Sequence, residues 1–187
     1  MNRKEAIQYV SLLLGGTLVG VNSFLTGCKS ADKRVVSSDD IAYLDEIAET
    51  ILPETKTPGA KAAQVGQFMT IMVNDCYDQK DQDAFRAGMK SLNEACDKMH
   101  KHGFMKATPE QRKELLVALD SERKEYQKNK KREDPNHYFQ YFKQLTIMGY
   151  FTSKEGRTGA TNYQPVPGKY QGDVPYKKGD KVQTGLS

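Results

Sequence analysis

A cysteine and two histidines are the residues whose types and spacing best suit chemistry. Cys96 and His100 stand four apart, which places them on one side of a helix, and His102 follows closely. Thiolate and imidazole bind zinc, but a catalytic zinc site needs three protein ligands and a structural one needs four. The sequence shows no further ligand beside these residues. A buried cysteine next to two histidines at a solvated helix end is therefore the favoured interpretation.

Other catalytic and cofactor-binding patterns are not found in the sequence. Asp75, Asp78 and Asp81 form an acidic cluster, but their positions at a helix end and in a turn explain them without catalysis. The chain has no Gly-rich phosphate loop, no Cys-x-x-Cys-His haem motif and too few cysteines for an iron–sulfur cluster. The sequence therefore predicts no catalytic, cofactor-binding or metal-binding residue in this chain.

Cys76 and Cys96 are predicted to be buried free thiols. Cys76 lies near the turn between two predicted helices, and Cys96 lies far along the second of them. If the two helices are antiparallel, the positions of Cys76 and Cys96 along the helix axis differ by more than about 10 Å, because a helix rises about 1.5 Å per residue. A disulfide needs Cα atoms within about 7 Å of each other. The geometry therefore argues against a disulfide.

The charge pattern does not indicate a nucleic-acid partner. The net charge of the 187 residues is +4, and the lysines are interspersed with Glu and Asp along the chain. The densest basic cluster runs from Lys128 to Arg132, and Glu133 and Asp134 end it. Such a cluster is typical of a solvated helix end.

The first 27 residues read as a signal peptide. Arg3 and Lys4 precede an apolar run from Val10 to Leu25, which is too short and glycine-rich for a membrane span of about 20 apolar residues. The run ends in Leu25-Thr26-Gly27-Cys28, which resembles the bacterial lipoprotein signal. We therefore expect lipidation of Cys28, a tether over residues 28–37, and a lipid-anchored protein on the periplasmic side of a bacterial membrane. An ordinary signal peptide with an incidental cysteine is the alternative.

Residues 38–152 are predicted to form an all-α domain, a bundle of about five helices. Apolar residues recur at helical spacing through this region, and no strand pattern competes with them. Capping residues, prolines and glycines mark the boundaries. The first predicted helix runs from Ser37 or Ser38 to Pro53, and the second runs from about Ala62 to Tyr77. The third helix ends at a cap on Gly103. The fourth begins with Thr108-Pro109-Glu110-Gln111, and the fifth begins with Asp134-Pro135.

Residues 153–187 are predicted to form a long extended arm, rich in Gly, Pro and Tyr. Its prolines exclude a central strand and a helix interior, whereas a solvated linker would have few aromatic residues. Rings also occur on more than one side of the fifth helix. We therefore expect the arm and this helix to cover either the chain's own body or a partner protein. The candidate interface residues are Phe142, Tyr150, Phe151, Tyr163, Pro165, Pro167, Tyr170 and Tyr176.

Two groups of residues point to a known family. The first comprises Ile47 to Pro53, Thr57 to Ala60 and Asp75 to Tyr77. The second comprises Leu145 to Ser153, with its Gly-Tyr-Phe-Thr-Ser stretch, and Tyr163 to Tyr170, with its Pro-Val-Pro-Gly stretch. Together they make the chain similar to the gluconate 2-dehydrogenase subunit 3 family, over about residues 38 to 180.

The resemblance implies an accessory role rather than catalysis. Members of that family are small, exported helical subunits that associate with an FAD-containing dehydrogenase subunit of the GMC type. That partner oxidises sugars, sugar acids or polyols, and a cytochrome subunit often takes the electrons. The family's small subunit is viewed as supporting folding, export through the twin-arginine route or maturation, and it carries no established catalytic residue. The chain departs from the family at Arg3-Lys4, which lacks the second arginine of that export signal, and at Cys28.

Two other functions stay open at this point. One is a free-standing lipoprotein that binds a glycan or another envelope component in a concave aromatic pocket. The other is a metal-dependent enzyme that uses Cys96, His100 and His102.

Overall fold

The computed structural model describes residues 34–166, 168–169 and 172–185. Within them the chain forms five α-helices, and the predicted all-α bundle is confirmed. The helices are α1 (Ile41–Ile51), α2 (Val65–Cys76), α3 (Gln79–His100), α4 (Pro109–Asn129) and α5 (Tyr138–Thr152). Short 3₁₀ turns at Ser38–Asp40 and Phe104–Lys106 precede α1 and α4.

The final helix, α5, is the centre of the bundle because it packs against each of the other four helices. The ring of Phe142 on α5 packs edge to face against the ring of Phe85 on α3, with centroids 4.7 Å apart. Both side chains are fully buried. The core also contains Leu44, Ile47, Met69, Val73, Leu92, Phe104, Leu115 and Leu145.

Helix ends follow local capping in some places and depart from the prediction in others. At α4 the capping box is confirmed: Gln111 N–H donates to Thr108 Oγ1 at 3.3 Å, and Thr108 N–H donates to Gln111 Oε1 at 3.0 Å. The predicted cap at Gly103 is wrong. The helix α3 ends with Lys101 in the left-handed conformation, and Gly103 is extended, with φ of −70°.

Two helices also begin later than predicted. The helix α2 starts at Val65, because the chain first makes a turn that ends at Gln64 with φ of 54°. The helix α5 starts at Tyr138, because the His137 side chain accepts the Phe139 N–H at 3.3 Å and caps it. The Asp134 carboxylate instead accepts the Lys131 N–H, in the preceding turn.

The described part of residues 153–187 contains a π-helical turn, Gly156–Ala160, and a strand β1 (Thr161–Tyr163) that pairs in parallel with β2 (Val182–Thr184). Thr161 lies opposite Val182, and Tyr163 lies opposite Thr184. The two ends of the arm therefore meet. Among the residues described, none of the helices has both the length and the apolar character needed to cross a bilayer.

A half-buried acidic group, Asp120, ties α4 to α5. Asp120 accepts hydrogen bonds from Lys143 Nζ at 2.8 Å and Arg123 Nε at 2.9 Å, and Lys124 Nζ lies 3.1 Å from its other oxygen. Burial by itself raises the pKa of this carboxyl, but the three cationic partners outweigh it and hold the pKa well below its usual range. The charged form of Asp120 therefore stabilises the packing of the two helices.

The chain segment before α1 is fastened to the end of α2 by one side chain. Asn74 Oδ1 accepts the N–H groups of Val35 and Val36 at 2.9 and 3.1 Å. Its Nδ2 donates to the Val36 carbonyl at 2.8 Å. The Val36 side chain is fully buried.

Candidate partner-binding surface

The buried face of α5 takes two of the predicted interface residues into the chain's own core. Phe142 is fully buried against Phe85, and Tyr150 is 4% exposed. The Tyr150 hydroxyl donates to the Pro58 carbonyl at 2.7 Å, so its polar tip is also satisfied inside the chain. These two residues therefore pack in this chain's own core.

The opposite face of α5 carries an apolar stripe, which we define as Ile147, Met148 and Phe151. The three side chains are 42%, 37% and 42% exposed. Their spacing of three and four places them side by side on the helix. A contiguous exposed patch with an aromatic ring is typical of a protein interface. Phe151 was among the predicted interface residues, whereas Ile147 was missed, although its spacing from Phe151 marks the same face.

A close helix crossing holds α5 in place from the other side. A Cβ atom at Gly149 would lie 2.7 Å from Cδ1 of Phe68 on α2, so only glycine fits under that ring. Gly149 itself is buried. The helices α2 and α5 therefore pack closely at Gly149, next to the residues of the apolar stripe.

The arm contributes further exposed aromatic surface. The ring of Tyr163 is covered on one face by the Arg157 guanidinium, whose Cζ lies 4.6 Å from the ring centroid, and it stays 37% exposed. Tyr176 is 72% exposed, and Pro165 is also exposed. Pro167, Tyr170 and the lipidation residue Cys28 lie outside the described residues. The structure therefore leaves Phe151, Tyr163, Pro165 and Tyr176 as accessible members of the predicted interface.

Hydrogen bonds hold the two ends of the arm together. The Gln164 N–H donates to the Thr184 carbonyl at 2.8 Å, and the hydroxyls of Thr161 and Thr184 lie 2.9 Å apart. Thr161 Oγ1 also lies 2.7 Å from the Arg157 carbonyl. This contact joins β1 to the π-helical turn that follows α5. The arm is thus a closed loop at the end of the helix that carries the apolar stripe.

The cysteine and histidines singled out in the sequence lie at the end of α3. Cys96 is fully buried, and burial raises the pKa of its thiol. The rings of His100 and His102 stack with centroids 6.2 Å apart, and His100 Nε2 and His102 Nδ1 are buried without a hydrogen-bond partner. Within the described part of the chain, no three His, Cys, Asp or Glu side chains converge in a way that could hold a metal ion.

The two described cysteines are both free thiols, as predicted. The prediction that both are buried is wrong for Cys76, which is exposed. Cys76 is the last residue of α2 and lies beyond Val73, the final buried residue of that helix.

The acidic cluster has structural partners. Asp78 caps α3 by accepting the Asp81 N–H at 2.8 Å. The Asp81 carboxylate accepts the Tyr141 hydroxyl at 2.6 Å, which links α3 to α5. The interpretation of these residues as turn and helix-end positions is confirmed for Asp78.

Comparison with known proteins gives one match. The family model described as Gluconate 2-dehydrogenase subunit 3 matches residues 38–168, which is well over half of the chain. No curated protein and no solved structure matches the chain. The matched region contains all five helices, the apolar stripe and β1.

Proposed function

The chain belongs to the gluconate 2-dehydrogenase subunit 3 family, and on that premise we propose that it is the noncatalytic small subunit of an exported, membrane-associated dehydrogenase. The catalytic subunit is a GMC-type flavoprotein that holds FAD and oxidises a sugar, a sugar acid or a polyol. A cytochrome subunit accepts the electrons. The small subunit supports the folding, export or anchoring of this partner.

The observation that carries the proposal is the apolar stripe on α5. The helix α5 packs against all four other helices, yet one of its faces exposes the apolar side chains of Ile147, Met148 and Phe151 to solvent. Burying such a patch against a partner is favourable by roughly 25 cal/mol per Å². Aromatic residues at the centre of an interface also carry a large share of binding energy. The stripe is therefore suited to a stable subunit contact.

The anchoring part of the proposal rests on the sequence around Cys28. The tetrad Leu25-Thr26-Gly27-Cys28 follows an apolar run, as in a bacterial lipoprotein signal. Two acyl chains on one protein bind a bilayer far more strongly than a single chain does. A small subunit with this modification holds the whole dehydrogenase complex at the membrane.

Purification of the tagged chain from gently solubilised membranes of the producing bacterium tests the proposal. We expect a flavoprotein to co-purify in equal amount, with the absorbance bands of bound flavin and with dehydrogenase activity. We expect neither flavin nor activity in the small subunit purified alone. In cells that produce Cys28→Ser, the complex is expected in the soluble fraction instead of the membrane.

Three outcomes contradict the proposal. Recovery of the chain as a monomer from wild-type membranes argues against a stable subunit. Stoichiometric flavin, or sugar oxidation by the isolated chain, argues against a noncatalytic role. Stoichiometric zinc or iron in the isolated chain supports the metal-dependent alternative at Cys96, His100 and His102.

A further inference from the structure

The two-stranded sheet of the arm has an open edge. The strand β2 pairs with β1 on one side, and in the described part of the chain the sheet has no third strand. Isolated pairs of strands are marginally stable in water, and an edge strand presents unpaired N–H and C=O groups that bind another strand. Val182 on this edge is 66% exposed. The edge is therefore accessible to a further extended segment.

The direction of the backbone groups identifies the residue that would bind such a segment. The Thr184 carbonyl accepts the Gln164 N–H, so the backbone groups of Thr184 face β1. In a strand, the N–H and C=O of one residue point to the side opposite those of the next residue. The N–H and C=O of Gln183 therefore point away from β1, towards the open side.

A groove lies beside this edge. It has a volume of about 510 Å³ and is lined by Asn162, Val174, Pro175, Tyr176, Asp180, Lys181, Val182 and Gln183. Its walls are mixed, since Tyr176 and Val174 present exposed apolar surface, Lys181 presents a cation and Asp180 an anion. Alternate side chains of an added strand would point into this groove, as in peptide recognition by strand addition.

The charges around the edge favour an acidic occupant. Residues 172–185 contain three lysines, Lys177, Lys178 and Lys181, and two aspartates. In the described part of the chain none of these lysines forms an ion pair with a carboxylate, and the Asp180 carboxylate accepts the backbone N–H of Lys177 instead. Lys177 and Lys178, next to Tyr176 in the chain, are therefore open to the carboxylates of another segment.

We propose that an extended, acidic segment of the partner dehydrogenase subunit adds to the open edge of β2 as a third strand. The Gln183 N–H and C=O bind its backbone, its apolar side chains enter the groove beside Tyr176, and its carboxylates face Lys177 and Lys178. This inference rests on the proposed function, because it names the same partner and adds the mode of docking.

A backbone substitution and its matched control test the strand addition. Gln183→Pro removes the outward N–H and leaves the Gln164–Thr184 hydrogen bond in place, whereas Gln183→Ala keeps the N–H. With the purified flavoprotein subunit as probe, we expect Gln183→Pro to weaken binding about tenfold or more and Gln183→Ala to bind like the wild type. Circular dichroism and the unfolding midpoint must match the wild type for both variants.

A charge reversal gives a second test that does not depend on proline. Lys177→Glu with Lys178→Glu is expected to weaken binding and to reduce its dependence on salt. The control is Lys98→Glu with Lys113→Glu, which makes the same change in net charge at exposed positions on α3 and α4. This control is expected to bind like the wild type. Hydrogen exchange at the Gln183 amide is expected to slow in the wild-type complex.

The results separate this inference from the proposed function. If the wild type binds the flavoprotein and every variant binds equally, or exchange at Gln183 is unchanged, strand addition is overturned and the subunit role stands. If the wild type does not bind the flavoprotein, both are overturned. Strand addition by the partner is also overturned if Gln183→Pro abolishes self-association of the isolated chain without affecting flavoprotein binding. It is likewise overturned if the lysine pair is needed only for binding to vesicles of phosphatidylglycerol.

Discussion

Replacing Phe151 by serine separates partner binding from folding. Phe151 is 42% exposed in the isolated chain. A phenylalanine side chain presents roughly 200 Å² when fully accessible, so roughly 85 Å² remains for a partner to cover. At about 25 cal/mol per Å² this area is worth about 2 kcal/mol of binding free energy. We therefore expect Phe151→Ser to weaken the complex with the flavoprotein about 30-fold.

The dissociation constant of the purified subunits, measured by biolayer interferometry, is the appropriate readout. The matched control is Val117→Ser, which removes an apolar side chain that is 59% exposed on α4. Both substitutions replace partly exposed side chains, so each is expected to lower the free energy of unfolding by less than a core substitution does, that is by less than about 3 kcal/mol. We expect the control variant to bind the flavoprotein like the wild type.

Three results would refute the assignment of the apolar stripe. Equal affinity of Phe151→Ser and the wild type would show that the partner does not cover this ring. Equal weakening by Val117→Ser would show that general surface hydrophobicity, and not the stripe, drives association. A large loss of stability in Phe151→Ser would mean that the ring contributes to the chain's own core despite its exposure.

Three further predictions concern the free chain. Phe142→Ala removes a fully buried ring and should lower the free energy of unfolding, measured by urea titration, by about 3–5 kcal/mol. If Phe142→Ala lowered this free energy by less than Phe151→Ser does, the placement of the two rings would be contradicted. Asp120→Asn should cost about 1.5–3 kcal/mol at neutral pH. The pKa of Asp120 is lower in the folded state than in the unfolded state, where it is about 3.9. Its contribution to stability is therefore present above about pH 3.9 and is lost as the pH falls through the folded-state pKa. In acid, the free energies of unfolding of Asp120→Asn and the wild type should converge. Under native conditions a thiol reagent should label Cys76 quickly and Cys96 only after unfolding, as mass spectrometry of the labelled peptides can show.

Local signals in the sequence were sufficient for most of the helices. The capping box from Thr108 to Gln111 depends on residues three apart, so the start of α4 is encoded where it occurs. The end of α3 is different. The Asn93 side chain accepts the Phe104 N–H at 3.0 Å, and this distant contact keeps Gly103 extended and leaves Lys101 to end the helix. The position of Gly103 in the sequence does not reveal this contact between Asn93 and Phe104.

The division of α5 into a core face and an exposed face was beyond sequence reasoning. Rings occur around most of this helix, and it contacts four neighbours, so periodicity alone does not show which rings are covered. Phe142 and Tyr150 were assigned to an interface for that reason, and Ile147 was overlooked. Closure of the arm was also missed, since it joins Thr161 to Thr184 across a stretch rich in glycine and proline.

The Asn74 amide is one point at which the N-terminal end of the described chain is fixed to the bundle. Tension on Val35 and Val36 acts on the three hydrogen bonds of this amide and on the buried Val36 side chain. Through these hydrogen bonds the tension acts on Asn74, near the C-terminal end of α2, as well as on α1. A subunit that is anchored at its N-terminus and holds a large partner would resist unfolding partly through this amide, and Asn74→Ala would weaken that resistance.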